Sequence, residues 1–170
     1  MSDIPLSLYC HLPWCIEKCP YCDFNSFKLS KQDSMERYTN ALCQDLMSSS
    51  QLINNRPIIS IFFGGGTPSL FPSTSIEKIM STIQAHYQLS ENIEITLEMN
   101  PSSCETKKLA ELRNIGINRL SIGVQSFNDA SLKALGRVHD AKMAHEAIVE
   151  AQKNDFDAIN IDIMYGLPHQ

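Results

Sequence analysis

The segment PIISIFFGGGTPSLFPSTSIEKIMSTIQAHY, Pro57 to Tyr87, carries two hydrophobic periods back to back. Ile58 to Phe63 is an apolar, β-branched run bounded by Pro57 and Gly64, which reads as a buried strand. Ile76, Ile79, Met80, Ile83 and Tyr87 then recur at spacings of three and four, which reads as one face of an amphipathic helix. The same couplet repeats on both sides. Leu6 to Leu12 precedes a helical pattern of Met35, Tyr38, Leu42, Leu46 and Ile53, and Ile93 to Glu98, Arg119 to Val124 and Ala158 to Met164 complete a set of five strands. A further helix is expected from Asp140 to about Lys153. Thr74 with Glu77, and Ser102 with Glu105, have capping-box spacing, and Gly116 suits a helix stop. Strands alternating with amphipathic helices require crossover connections and a parallel sheet, so the class is α/β. Periodicity leaves an open sheet and a closed barrel equally available.

Composition narrows the function. The chain has 170 residues, 43% of them apolar, with no low-complexity tract or linker, so residues 1–170 are expected to form one domain. Such a length buries roughly two thirds of the unfolded surface without staples. Fourteen Lys and Arg against nineteen Asp and Glu give a net charge of −5, which suggests no electropositive surface for nucleic acid or anionic lipid, and no nucleic-acid partner is expected. No apolar run approaches the ~20 residues of a spanning helix, and the N-terminus lacks a signal peptide's basic and apolar regions. A cytoplasmic protein is expected, with at most peripheral membrane contact. The sequence ends directly after the fifth strand, as a piece of a longer protein would.

In a βα architecture, functional groups collect where strands end. Here the first strand leads into Cys15-x3-Cys19-x2-Cys22, the second into Gly64-Gly65-Gly66-Thr67-Pro68, the third ends in Glu98, the fourth in Gln125, and the fifth contains Asp162. Three thiolates converging from a loop suit an iron–sulfur cluster, and with three ligands rather than four, one iron keeps an open position for a cofactor or substrate. A structural zinc site completed by a distant side chain, or chance clustering, are the alternatives, although only Cys19 and Cys22 form a C-x2-C pair. The glycines allow close backbone approach, or simply form a turn. Glu98 is suited to accepting hydrogen bonds from hydroxyls or an amine. His11, His86, His139, His145 and His169 read as surface, packing or supporting groups, because no pair has ligand spacing beside a carboxylate; His139 is the strongest exception. Cys10, Cys43 and Cys104 read as small buried or inert thiols.

Tyr9-Cys-His-Leu-Pro-Trp-Cys15-Ile-Glu-Lys-Cys19-Pro-Tyr-Cys22 resembles the signature of the radical S-adenosylmethionine (SAM) superfamily. Gly64-Gly-Gly-Thr-Pro-Ser69, Glu98-Met-Asn-Pro101, Arg119-Leu-Ser-Ile-Gly-Val-Gln-Ser-Phe127, Leu135-Gly-Arg-Val-His139 and Asp162-Ile-Met-Tyr-Gly-Leu-Pro168 resemble further family motifs in order. Within the superfamily the chain is similar to the coproporphyrinogen dehydrogenase group and its HemW-like heme chaperone branch. The resemblance implies a partial TIM-like (β/α) barrel, normally of six βα units, to which this chain contributes five strands with outer helices. It implies a [4Fe-4S] cluster on Cys15, Cys19 and Cys22, whose open iron chelates the methionine part of SAM. It also implies one-electron cleavage of SAM to a 5′-deoxyadenosyl radical. By the same resemblance Tyr9, Tyr21, Gly65, Gly66, Thr67, Glu98, Gln125, Arg137 and Asp162 surround SAM. Packing roles for Tyr9 and Tyr21, and a buried ion pair for Arg137, are the structural alternatives.

One departure separates the branches. Coproporphyrinogen dehydrogenases continue the motif with another cysteine two residues after the third, whereas this chain continues Asp23-Phe24-Asn25-Ser26 and has only eight residues before Tyr9. Both features favour the heme chaperone branch. That branch implies heme as cargo, respiratory hemoproteins as recipients, and a homodimer as an assembly available to the longer protein. An oxygen-independent coproporphyrinogen III oxidase is the enzymatic alternative, and a structural zinc protein the second.

Overall fold

The computed structural model describes residues 4–53, 56–102, 106–167 and 170. Five strands, β1 (Leu6–Leu12), β4 (Ile58–Gly65), β5 (Leu89–Met99), β6 (Arg119–Gln125) and β7 (Ala158–Ile163), form one parallel sheet in the order β1-β4-β5-β6-β7. Each strand therefore lies beside its predecessor in the sheet, as repeated crossovers of one hand require. The principal connecting helices are α1 (Met35–Ser49), α2 (Ser73–His86), α3 (Leu109–Ile115) and α5 (Ala141–Lys153).

Alternation within the strands separates the two faces. Leu12, Ile61, Phe63, Leu97, Leu120 and Ile122 are at most 1% exposed and form one core with Ile76, Ile79, Ile83, Leu109 and Ala144 from the helices. The side chains between them belong to the opposite face, which is polar. There Ser60 donates to Ser7 at 2.8 Å, Arg119 Nη1 to Thr96 Oγ1 at 3.1 Å, and Asn160 to Ser121 at 3.1 Å. A parallel sheet with helices on both sides would be apolar throughout; here the second face is largely polar, with the stacked Tyr9 and Phe62 rings as its aromatic exception.

Several element boundaries differ from the sequence reading. Gly64 and Gly65 continue β4 by pairing with His11 and Leu12, and β5 begins early because Leu89 pairs with Ile58. Thr74 and Glu77 do not form a capping box: α2 starts at Ser73 behind Pro72, whose carbonyl accepts from the amides of Ser75 and Ile76. The Ser102–Glu105 pair lies partly outside the described residues, as do Cys104 and His169. Ile53 packs on the core but lies beyond α1, after a 3-10 turn over Ser50–Leu52. Gly116 is the left-handed C-cap of α3, with φ 110°, and Asp140 caps α5 by accepting from Met143 N at 2.8 Å. Two features had no signal above the turn background: α4 (Asp129–Ala134), and a two-residue parallel pair of β2 (Trp14–Cys15) with β3 (Phe27–Lys28). Among the described residues no helix is long and apolar enough to cross a membrane.

Candidate functional site

The cysteine segment is stitched to the sheet by main-chain hydrogen bonds. Gly66 N donates to Leu12 O and Thr67 N to Trp14 O, both at 2.8 Å, so the end of β4 zips onto the segment leaving β1. Phe27 N donates to Pro13 O at 2.8 Å and Leu29 N to Cys15 O at 2.9 Å, closing the far side. Cys15 thus sits in a short strand rather than a loop, while Cys19 and Cys22 flank a turn closed by Cys22 N donating to Cys19 O at 3.0 Å.

Each sulfur has its own partner from a different part of the chain. Thr67 Oγ1 donates to Cys15 Sγ at 3.4 Å, Arg137 Nη1 donates to Cys19 Sγ at 3.4 Å, and Ser26 Oγ lies 3.7 Å from Cys22 Sγ. Burial pushes the Cys15 thiol up; Thr67 opposes this, and Cys22 and Cys19 add to it. Among the described residues no three His, Cys, Asp or Glu side chains gather around a single ion. Cys15 nonetheless lies within electrostatic reach of both Cys22 and Cys19. A cubane binds each thiolate to a different iron, so it suits thiols that converge without meeting at one point. Arg137 Nε is buried with no partner, so a donor is left for an acceptor supplied from outside the chain. Arg137 also lines a small cleft together with Ile16, Cys19, Asn100 and Gly136. The larger groove, between α3 and α5, is lined by Lys107, His145, Val149 and Lys153 and holds none of the cysteines.

The other residues singled out in the sequence lie on the strands of this sheet or on the segments that follow them. Tyr21 accepts from Arg137 Nη1 at 3.3 Å. Glu98 accepts from Gly65 N at 3.1 Å. Tyr9 reaches the cysteine segment through an intermediary: its hydroxyl lies 3.1 Å from His11 Nδ1, and His11 Nε2 lies 2.9 Å from Asn25 O. Gln125 takes a left-handed φ of 69° as β6 ends. Asp162 is exposed on the last strand, where it accepts from Asn160 at 2.7 Å and acts on Glu98 only through its charge. His139 is buried, with Nε2 3.0 Å from Val124 O, and burial holds its pKa below the usual imidazole value. Cys10 and Cys43 are buried, and burial pushes Cys10 up to about 12, which makes it inert.

Burial also raises the Glu98 carboxyl, Gly65 N opposes the shift, and Asp162 reinforces it. A raised native pKa means the native state binds this proton more tightly than the unfolded chain, so ionised Glu98 lowers stability as pH rises through the native pKa. Glu98→Gln keeps an acceptor for Gly65 N and removes the charge. The variant is expected to melt higher than the parent at pH 7, with the gain shrinking as pH falls below the ordinary carboxylate range. Equal melting at pH 7 would show that Glu98 carries no such cost.

The sequence pattern of the radical SAM superfamily matches residues 9–170, from the tyrosine ahead of the cysteines to the end of the chain. The chain belongs to the radical SAM superfamily. Its sequence is 45% identical to the heme chaperone HemW of Buchnera aphidicola (strain APS) and 41% identical to that of Escherichia coli, over 98% of this chain and 44% of each relative. It is 34% identical to the oxygen-independent coproporphyrinogen III oxidase of Synechocystis, over 98% of this chain and 36% of that protein. Among solved structures, Escherichia coli coproporphyrinogen III oxidase HemN superposes with a TM-score of 0.89 at 34% identity, covering 98% of this chain and 38% of that one. The chain spans less than half the length of these relatives.

Within this radical SAM domain the structure gives His11 a supporting role, one of those read for it in the sequence, and adds Ser26 and Asn100, to which the sequence reading gave no role. His11 links Tyr9 to Asn25, Ser26 faces Cys22, and Asn100 bonds to both Thr67 and Arg137. A signal existed for Asn100. It stands two residues after Glu98, as the strand face of Glu98 continues past the end of β5, within a motif already singled out.

Proposed function

We propose that the protein containing this domain is a heme chaperone: it binds a [4Fe-4S] cluster through Cys15, Cys19 and Cys22, binds SAM beside it, and carries heme to respiratory hemoproteins. The observation that carries this reading is the 36–46% identity to proteins named heme chaperones over nearly the whole chain, four of them at 41% or more, against 34% to a named oxidase. Local structure agrees with it. Position 24, where the oxidase group continues its cysteine motif, holds Phe24, which is 63% exposed; with exposed Ile16 and Phe27 it adds an apolar rim to the cysteine segment, suited to a flat apolar cargo.

The protein's own groups fit the cofactors. The three thiols and their donors hold the cluster; Glu98 and Asp162 provide carboxylates for an amine or ribose hydroxyls; Tyr9 and Tyr21 offer ring faces; Gly65, Gly66, Thr67 and Gln125 stand where β4 and β6 end. Arg137, whose buried Nε has no partner within the described residues, is the cation suited to a carboxylate. Cluster and SAM together supply one-electron chemistry that no side chain here can perform. The protein is cytoplasmic in this reading.

The test uses the whole protein, reconstituted anaerobically with iron and sulfide, reduced, and given SAM with coproporphyrinogen III. Intact porphyrinogen by mass spectrometry, together with stoichiometric heme binding in a spectral titration, is the expected result. Conversion to protoporphyrinogen IX would establish the oxidase instead.

A further inference from the structure

Thr67 and Arg137, which donate to two different cysteine sulfurs, share a partner. Asn100 Nδ2 donates to Thr67 Oγ1 at 2.8 Å, and Asn100 Oδ1 accepts from Arg137 Nη2 at 2.5 Å. One continuous hydrogen-bonded chain therefore runs Cys15–Thr67–Asn100–Arg137–Cys19.

The direction of every proton in this chain follows from chemistry. Arginine has donors and no acceptor, so the amide group of Asn100 must turn its oxygen toward Arg137 and its NH2 toward Thr67. Thr67 Oγ1 then accepts, and its single proton is left for Cys15 Sγ. Arg137 is fixed by a second bond from Nη2 to Gly123 O at 2.6 Å, which leaves the two Nη1 protons for Cys19 Sγ and Tyr21 Oη. Gly123 borders the junction, where a Cβ would lie 3.3 Å from Gln125 Nε2 and 3.4 Å from both Arg137 Nη2 and Asn100 Oδ1.

We infer that Asn100 is a positioning residue that orients one donor onto Cys15 and another onto Cys19, and so sets the reduction potential of the cluster. The inference rests on the reading of these cysteines as cluster ligands. Hydrogen bonds to ligand sulfurs stabilise the more negative, reduced cluster and raise its potential. Losing Asn100 frees the Thr67 hydroxyl to rotate and Arg137 to shift, so the potential falls.

The experiment is an EPR-monitored redox titration of the whole reconstituted protein, with iron and sulfide assayed in each variant. Asn100→Ala is expected to keep its iron and sulfide. Its reduced-to-oxidised ratio at a fixed potential should fall about tenfold, which for a one-electron couple is ~59 mV. Thr67→Val should shift the same way by less, and adding it to Asn100→Ala should produce no further shift, because the hydroxyl is already misdirected. Asn100→Asp keeps the side-chain shape if alanine costs the fold. Its carboxylate draws the Thr67 proton off Cys15, so Thr67→Val should again add nothing. Additive shifts, or a parent potential in an Asn100 variant that retains its cluster, would overturn the role of Asn100 and leave the cluster ligands standing. A parent protein that takes up no iron and sulfide would overturn both.

Discussion

Cys19→Ser is expected to abolish iron and sulfide incorporation in the reconstituted protein, reducing bound iron from stoichiometric to background. A serine hydroxyl stays protonated where a thiol ionises, and its hard oxygen is a poor ligand for a cluster held by thiolates. The local geometry makes the loss sharper. Cys19 Sγ accepts from Arg137 Nη1, and a serine oxygen there would meet the same guanidinium with no negative charge to match it. Cys10→Ser and Cys43→Ser are the controls, since both thiols are buried in the hydrophobic core and lie outside the three-cysteine segment. They are expected to keep iron and lose stability instead, by about 1–3 kcal/mol each if the new hydroxyl finds no partner. Full iron and sulfide in Cys19→Ser would remove the cluster assignment, and equal losses in the controls would show a folding defect.

The contrast between these cysteines also shows what sequence can and cannot reveal. Spacing alone separated Cys15, Cys19 and Cys22 from the dispersed three, because three cysteines within eight residues can converge on one cluster from a single segment. The strands were legible for a similar reason: runs such as Ile58 to Phe63 bury one face whatever the rest of the chain does. Features that depend on two distant segments were not. β2 and β3 are two residues each and exist because the cysteine segment folds back on itself. Asn100 bonds to Thr67 and Arg137, separated from it by 33 and 37 positions, and no local pattern announces either contact. Thr74 and Glu77 had the right spacing for a cap, yet Pro72 moved the start of α2 one residue ahead of Thr74. The polar second face was written in the alternation of Glu94, Thr96 and Glu98 with Ile95 and Leu97, a pattern that β-strand propensity by itself does not interpret.

The triglycine run yields the second large effect, and its three members should differ. A Cβ on Gly64 would lie 2.9 Å from ring atoms of Phe62 and Tyr9, which can swing away. A Cβ on Gly65 would lie 2.6 Å from the His11 ring, at a φ of +123° that other residues rarely adopt. A Cβ on Gly66 would lie 2.7 Å from Pro13 C and O and from Trp14 O, all backbone atoms of the segment that leads to Cys15. Backbone held by the Gly66 N to Leu12 O and Thr67 N to Trp14 O bonds cannot yield without releasing the cysteine segment from the sheet. Gly66→Ala is therefore expected to lose most of its reconstituted iron, with Gly64→Ala close to the parent and Gly65→Ala between them. Iron content and thermal unfolding measured on the three variants together provide the check. Equal behaviour would mean that these glycines serve only a flexible turn. The expected order would show that their missing side chains seat the cysteine segment against the strand ends, and that any close approach to SAM builds on that seat.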